Sequence, residues 1–202
     1  MKGQKTPIKK VVVVPYSTTW ATEFGKLKMI FSGQLQDLIL RIEHVGSTAV
    51  PGLAAKPIID IDLIINNKYK FDHIIEILSK LGYTHGGEMG IPGREAFTRN
   101  SALTPEDGSG NFWPQHHLYV CLENSNSLRN HLIFRDYLRN NPKKVKEYSE
   151  LKLKLAKNHT FDIDGYVEAK TTFILSILEN SGFDQEDLST IKIQNKAINK
   201  KQ

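Results

Sequence analysis

The chain has 202 residues, 40% hydrophobic and 24% charged, with one cysteine and a net charge of +5. The length supports a full core in one domain, and the composition is that of an ordinary globular chain. A single cysteine excludes an intramolecular disulfide and fits a reducing compartment, and no run approaches the ~18 apolar residues of a membrane span.

The charge is unevenly placed. Residues 1–10 and 188–202 each carry four lysines and no acid, so residues 11–187 hold a net −3. Such tails read as basic and flexible, and residues 1–10 and 184–202 are expected to be so. The mildly acidic body argues against a nucleic-acid-binding face. The apolar run at residues 11–14 is too short for a signal-peptide core. A cytoplasmic location without a membrane partner is the expectation.

Trp20, Phe24, Leu27, Phe31, Leu35 and Leu38 recur at three- and four-residue spacing and predict an amphipathic helix. Residues 40–45 read as a short strand, and residues 57–65 as a buried one. A second helix is marked by Phe71, Ile74, Ile75, Leu78 and Leu81, with Gly82 as its stop. Residues 83–93 are glycine-rich, residues 94–99 read as a strand, and residues 101–115 form a long polar loop of the kind that is usually functional or disordered. Another strand follows at residues 115–122.

From Ser127, a candidate N-cap, the pattern turns helical. Pro142 opens a helix with Val145, Tyr148, Leu151 and Leu155 on one face. Asp162 or Asp164 caps a last helix that buries Tyr166, Phe173, Ile174 and Ile177. Lys152, Lys154 and Lys157 read as a solvated face, and the chain beyond Gly182 as frayed. The fold class expected is α+β: a small mixed sheet with flanking helices over residues 11–125, then a helical bundle over residues 126–183.

The chemistry concentrates in residues 44–65, HVGSTAVPGLAAKPIIDIDLII. Asp60 and Asp62 lie in an apolar strand, and alternation puts them on one face. Two carboxylates buried side by side repel, and burying them unpaired costs several kcal/mol. A divalent cation removes both problems, which makes Mg²⁺ or Mn²⁺ the expected metal. Solvation at a sheet edge, or pairing with Lys56 or an arginine, is the bland alternative. Gly46 lets the backbone approach a ligand, and the Ser47 hydroxyl with nearby N–H groups can hold phosphate oxygens.

A hydrophobic residue, Gly-Ser, twelve residues, then Asp-hydrophobic-Asp resembles the signature of the nucleotidyltransferase superfamily, which has the polymerase-β-like fold. Val45, Gly46, Ser47, Asp60, Ile61, Asp62 and Leu63 carry it. More narrowly, residues 11–180 resemble the GrpB family, through the same stretch, HHLYV at 116–120, HLIFRDYLRNNP at 131–142, YSELKLKLA, and YVEAKTTF at 166–173. The resemblance implies that Gly46 and Ser47 bind a nucleoside triphosphate. It implies that Asp60 and Asp62 hold the bridging metal, and that an acceptor attacks the α-phosphorus. Active superfamily members add a third carboxylate from a later strand. Here that strand offers His116 and His117, and Glu95 is the acid best placed nearby.

His117 is therefore the expected third ligand or base, with Glu95 as the other candidate for the third position. His44, Lys56 and Arg94 are candidate phosphate contacts, with bracing or ion pairing as their plain alternatives. Arg99 is a further candidate of that kind. Arg135 and Arg139, four apart on one helix face, are candidate contacts to acceptor or base; an Arg–Asp network across the junction is the alternative. Three functions stay open: nucleotidyl transfer to a small-molecule or protein acceptor, a catalytically reduced nucleotide- or phosphate-binding module, and a metal-dependent phosphohydrolase.

Overall fold

The computed structural model describes residues 10–198. The expected tail segments 1–9 and 199–202 lie outside them. Helix α1 (Thr19–Leu35) buries Trp20, Leu27, Phe31 and Leu35, the stripe its spacing predicts. Strand β1 (Arg41–Val45) leads through a single 3₁₀ turn (Ser47–Ala49) and a buried loop into β2 (Ile59–Ile65). Next come α2 (Phe71–Lys80), β3 (Tyr83–Gly87), β4 (Arg94–Arg99) and β5 (His116–Leu122). Four helices complete the described chain: α3 (Asn126–Arg139), α4 (Pro142–Asn158), α5 (Ile163–Glu179) and α6 (Gln185–Ile198).

The five strands form one mixed sheet in the order β1-β2-β5-β4-β3. β2 and β5 are parallel and central; the other pairs are antiparallel. Alternation along β2 sends Ile59, Ile61, Leu63 and Ile65 into a core shared with Leu27, Phe31, Ile74 and Leu78 of α1 and α2. On the opposite face, Ile64 and Cys121 pack against Leu128 of α3. The sheet is thus covered on both faces, with the aspartates on the face toward α3.

Loop residues Val50 and Leu53 pack with Leu138, Val145, Tyr148 and Ile177 of α3, α4 and α5. Val11 donates its N–H to the Thr160 carbonyl at 2.8 Å, and Val14 bridges Ala55. The segment before α1 therefore stitches the helices to the loop that precedes β2. The long loop 101–115 is held by Arg99, whose guanidinium donates to the carbonyls of Pro114, Ala102 and Trp113.

Three local expectations are corrected. Ser125, not Ser127, caps α3, accepting from Leu128 N–H. Residues 185–198 do not fray but form α6, which buries Leu188 and Ile191 against Phe183 and Leu178. Lys152 is not solvated; it is 1% exposed.

Candidate functional site

The site is assembled by register. β1 pairs Val45 with Asp60 and Glu43 with Asp62, while β5 places His117 beside Asp60 and Tyr119 beside Asp62. All of these project toward α3. His117 Nδ1 donates to Asp60 Oδ1 at 2.8 Å. From α3, His131 Nδ1 donates to Asp62 Oδ2 at 2.7 Å. Each aspartate thus has its own histidine, and Tyr119 stands between the two imidazoles. Asp62 is fully buried, and its second oxygen, Oδ1, has no hydrogen-bond partner.

Gly46 has φ +67°, and a Cβ there would lie 2.1 Å from Asp60 Oδ2. Only glycine lets the turn pass this close to the carboxylate in a left-handed conformation. The turn itself is pinned by Thr48, which donates to the Ile58 carbonyl (3.3 Å) and accepts from His44 Nε2 (3.0 Å). His44 faces α1, stacked on Phe24, and burial drives its pKa down to about 4. It braces the turn as a neutral imidazole.

Beside Asp60 lies a cavity of about 170 Å³. Ser47, Lys56, Asp60 and His117 line it from the sheet side, and Lys152, Tyr166 and Lys170 from α4 and α5. Lys152 Nζ is hydrogen-bonded to Ser47 Oγ at 2.9 Å. Burial is the main force on all three lysines and lowers each pKa, Lys152 to about 6 and Lys170 to about 8. Burial pushes the Asp60 carboxyl upward, but the hydrogen bond and charge of His117, with His131 and Lys56, outweigh it and hold Asp60 below the usual carboxylate range. The cavity is a partly open, lysine-lined space with one carboxylate at its edge, suited to phosphate oxygens.

The remaining candidates separate clearly. His116 points into the opposite face, bonded to Tyr83 OH and the Pro114 carbonyl. Glu95 also falls on that face: β4 pairs it with Val120, and His85 donates to its carboxylate at 2.7 Å. It does not stand near the aspartates. Arg94 does lie on the aspartate face, its guanidinium 4.3 Å from the Tyr119 ring and its Nε without a partner. Arg135 is spent on Glu43, Asp136 and the His44 carbonyl, and Arg139 donates twice to the Ala49 carbonyl. Both arginines clamp the turn from α3, and neither lines the lysine cavity. Arg99 serves the loop 101–115.

Sequence reasoning missed Lys152, Lys170, His131 and Glu43. Glu43 is a further acid on the aspartate face, neutralised by Arg135 at 2.6 Å and Arg41 at 3.4 Å. The two lysines did leave a signal. Lys152 continues the stripe Val145, Tyr148, Leu155, and Lys170 continues Tyr166, Phe173, Ile177; a lysine on an apolar stripe faces the protein, and here Lys152 is buried and Lys170 half-buried. A larger groove of about 760 Å³ beside Pro51, Leu138 and Val145 holds neither carboxylate.

Fold and site together define a mixed α/β protein in which helices bring lysines to a small cavity beside Asp60, one of two aspartates on a central strand. The sequence profile of the family described as GrpB protein matches residues 10–180, and the chain belongs to that family. UPF0157 protein YqkA of Bacillus subtilis is 34% identical over 179 residues, which cover 87% of this chain but 48% of YqkA, so the chain spans about half of that relative. Glutamate-rich protein GrpB of Alkalihalophilus pseudofirmus is 33% identical over 172 residues, 84% of this chain and 94% of that protein. The crystal structure of conserved protein GrpB from Enterococcus faecalis superposes with a TM-score of 0.71 at 32% identity, over 89% of this chain and 99% of that one.

Proposed function

We propose that this protein binds the phosphates of a nucleoside triphosphate in the lysine cavity and transfers a nucleotidyl group, as a metal-dependent nucleotidyltransferase. The observation that carries the reading is convergence. Lysines from three separate segments meet the Gly-Ser turn and Asp60 around one small space. A volume of 170 Å³ is below the roughly 300–1,000 Å³ of pockets for whole small molecules, so it suits the phosphate end, with the nucleoside outside it.

The residues fit a divalent cation of the Mg²⁺ type. Asp62 Oδ1 is a buried carboxylate oxygen without a partner, and Gly46 leaves Asp60 Oδ2 unobstructed. Among the described residues no group of three or more acidic, histidine or cysteine ligands is arranged around one point. Mg²⁺ is ordinarily held by one or two carboxylates plus substrate phosphates, so Asp60 and Asp62 would take it together with the nucleotide. When bound, the cation would neutralise charge on the phosphates. Lys56 and Lys170 supply fixed positive charge at the phosphate oxygens, and His117 fixes the orientation of Asp60.

Phosphate binding without transfer is a second reading. It is favoured by the position of Glu95 on the far face and by the neutralised state of Glu43, which leave Asp60 and Asp62 without a further free acid. Calorimetric titration with ATP, CTP, GTP and UTP, in Mg²⁺ or Mn²⁺, tests both. Metal-dependent binding in the wild type, lost in the Asp60→Ala/Asp62→Ala variant, is the expected result. Absence of binding to all four nucleotides overturns the nucleotide reading. Binding without pyrophosphate release across a panel of acceptors selects the second reading.

A further inference from the structure

Lys152 has an unusual set of neighbours for a buried amine. It is 1% exposed, and among the described residues its nitrogen has one hydrogen-bond partner, Ser47 Oγ at 2.9 Å, and one ring contact, the Tyr148 face at 4.5 Å. Among the described residues no carboxylate pairs with it. The serine is equally well fixed. Its backbone follows Gly46 at φ +67°, its carbonyl accepts from Val50 N–H at 3.2 Å, and the neighbouring Thr48 is tied to the start of β2. A hydroxyl held against a desolvated amine, at the wall of a cationic cavity, is the arrangement of a nucleophile with its base.

We propose that Ser47 is a nucleophile activated by Lys152, and that it receives the nucleotidyl group from the bound triphosphate. This rests on the nucleotide reading for the identity of the group, but not for the reactivity of the serine. In the step, Ser47 Oγ forms a bond to the α-phosphorus. The bond from that phosphorus to the bridging oxygen breaks, and its electron pair leaves with pyrophosphate. The Ser47 proton passes to Lys152 Nζ, which becomes an ammonium beside the new ester. Lys56 and Lys170 face the phosphoryl oxygens on which charge accumulates.

The groups facing Lys152 set when it can act. Burial keeps the amine neutral near neutral pH, the charge on Lys170 of α5 adds to that, and Asp60 of β2 opposes it. Tyr148 on α4 itself and Tyr166 of α5 stay protonated, both raised by burial. Lys56 before β2 and His117 of β5 complete the ring of titratable side chains.

The test uses the full chain and two reagents. Each of the four triphosphates with Mg²⁺ or Mn²⁺ is followed by intact mass and peptide mapping, and a fluorophosphonate probe separately reports an activated serine without any nucleotide. A single adduct on Ser47 is expected, absent in Ser47→Ala and formed about 100-fold more slowly in Lys152→Met. Lys152→Arg, permanently charged, does not restore it. In the wild type the labelling rate falls as pH drops through about 6. Thermal melting of each variant verifies folding, and the wild-type pH profile needs no variant. No label on Ser47 from either reagent overturns the proposal, as does undiminished labelling in Lys152→Met. Nucleotide binding without label leaves the nucleotide reading standing and this one refuted. Fluorophosphonate labelling without nucleotide binding supports the Ser47–Lys152 pair and refutes the nucleotide reading instead.

Discussion

Replacing Lys152 by methionine is expected to stabilise the ligand-free protein. The folded state holds this amine with a pKa near 6, against 10.5 for an ordinary lysine. At pH 7 the unfolded chain binds a proton that the folded chain does not. Holding the amine neutral therefore costs about 5 kcal/mol, at 1.36 kcal/mol for each of roughly 3.5 pH units. At that pKa the amine is neutral at pH 7, so the Tyr148 face, which would favour a charged form, offsets little of this cost. Methionine also loses the hydrogen bond to Ser47, worth about 1 kcal/mol. The net expectation is a gain of about 4 kcal/mol at pH 7. Its pH dependence has a fixed sign: between about pH 6 and 10.5 the unfolded state binds more protons, so wild-type stability rises with pH through this window and the methionine variant lacks that rise. Urea unfolding followed by tryptophan fluorescence at pH 6.5 and pH 9 measures both, with the gain shrinking toward zero at the higher pH. A variant less stable than wild type at both pH values would refute the reasoning, because it would mean a charged lysine that supports the fold.

Other substitutions probe the remaining parts of the site and fold. Gly46→Ala places a methyl 2.1 Å from Asp60 Oδ2 in a left-handed conformation that costs about 1–2 kcal/mol by itself; denaturant unfolding should show at least that loss, and metal-dependent nucleotide binding should disappear, whereas unchanged binding would separate the turn from the aspartate. Arg135→Met strips Glu43, Asp136 and the His44 carbonyl of a guanidinium whose side chain is 9% exposed. A loss of about 3 kcal/mol is expected in urea, and a loss under 1 kcal/mol would show that α3 does not clamp the turn. Leu188→Ala should cost about 2 kcal/mol by cavity formation under α6; no change in the unfolding midpoint would place residues 185–198 outside the cooperative unit.

Much of the site was legible because strands alternate. Ile59 to Ile65 has period two, so Asp60 and Asp62 had to share a face, and of two successive histidines only one could join them. The same rule, applied to residues 94–99, separates Glu95 from the site: it shares parity with Phe97, a core residue, while Arg94 shares parity with Ala96, opposite Tyr119. What alternation cannot supply is register between strands distant in sequence. The pairing of Asp60 with His117 spans 57 residues, and that of Asp62 with His131 spans 69. Helix α6 was obscured because, among its described side chains, Leu188 and Ile191 are the apolar ones buried, a stripe too sparse to stand out in a polar sequence.

Lys152 and Lys170 escaped for a different reason. Charged residues serve as markers of the solvent face when a helix is read by periodicity, so a lysine on the apolar stripe is discarded as noise. Physically it is the reverse of noise. An amine kept on the core side of α4 or α5 lowers the stability of the ligand-free fold, and a methionine or leucine there would pack without that cost. Both helices nevertheless carry such a lysine, and both lysines reach the same cavity beside Asp60. Independent accidents of packing would not converge on one 170 Å³ space. The anionic ligand proposed for this cavity would account for the convergence, since it would restore to each amine the partner that burial has removed.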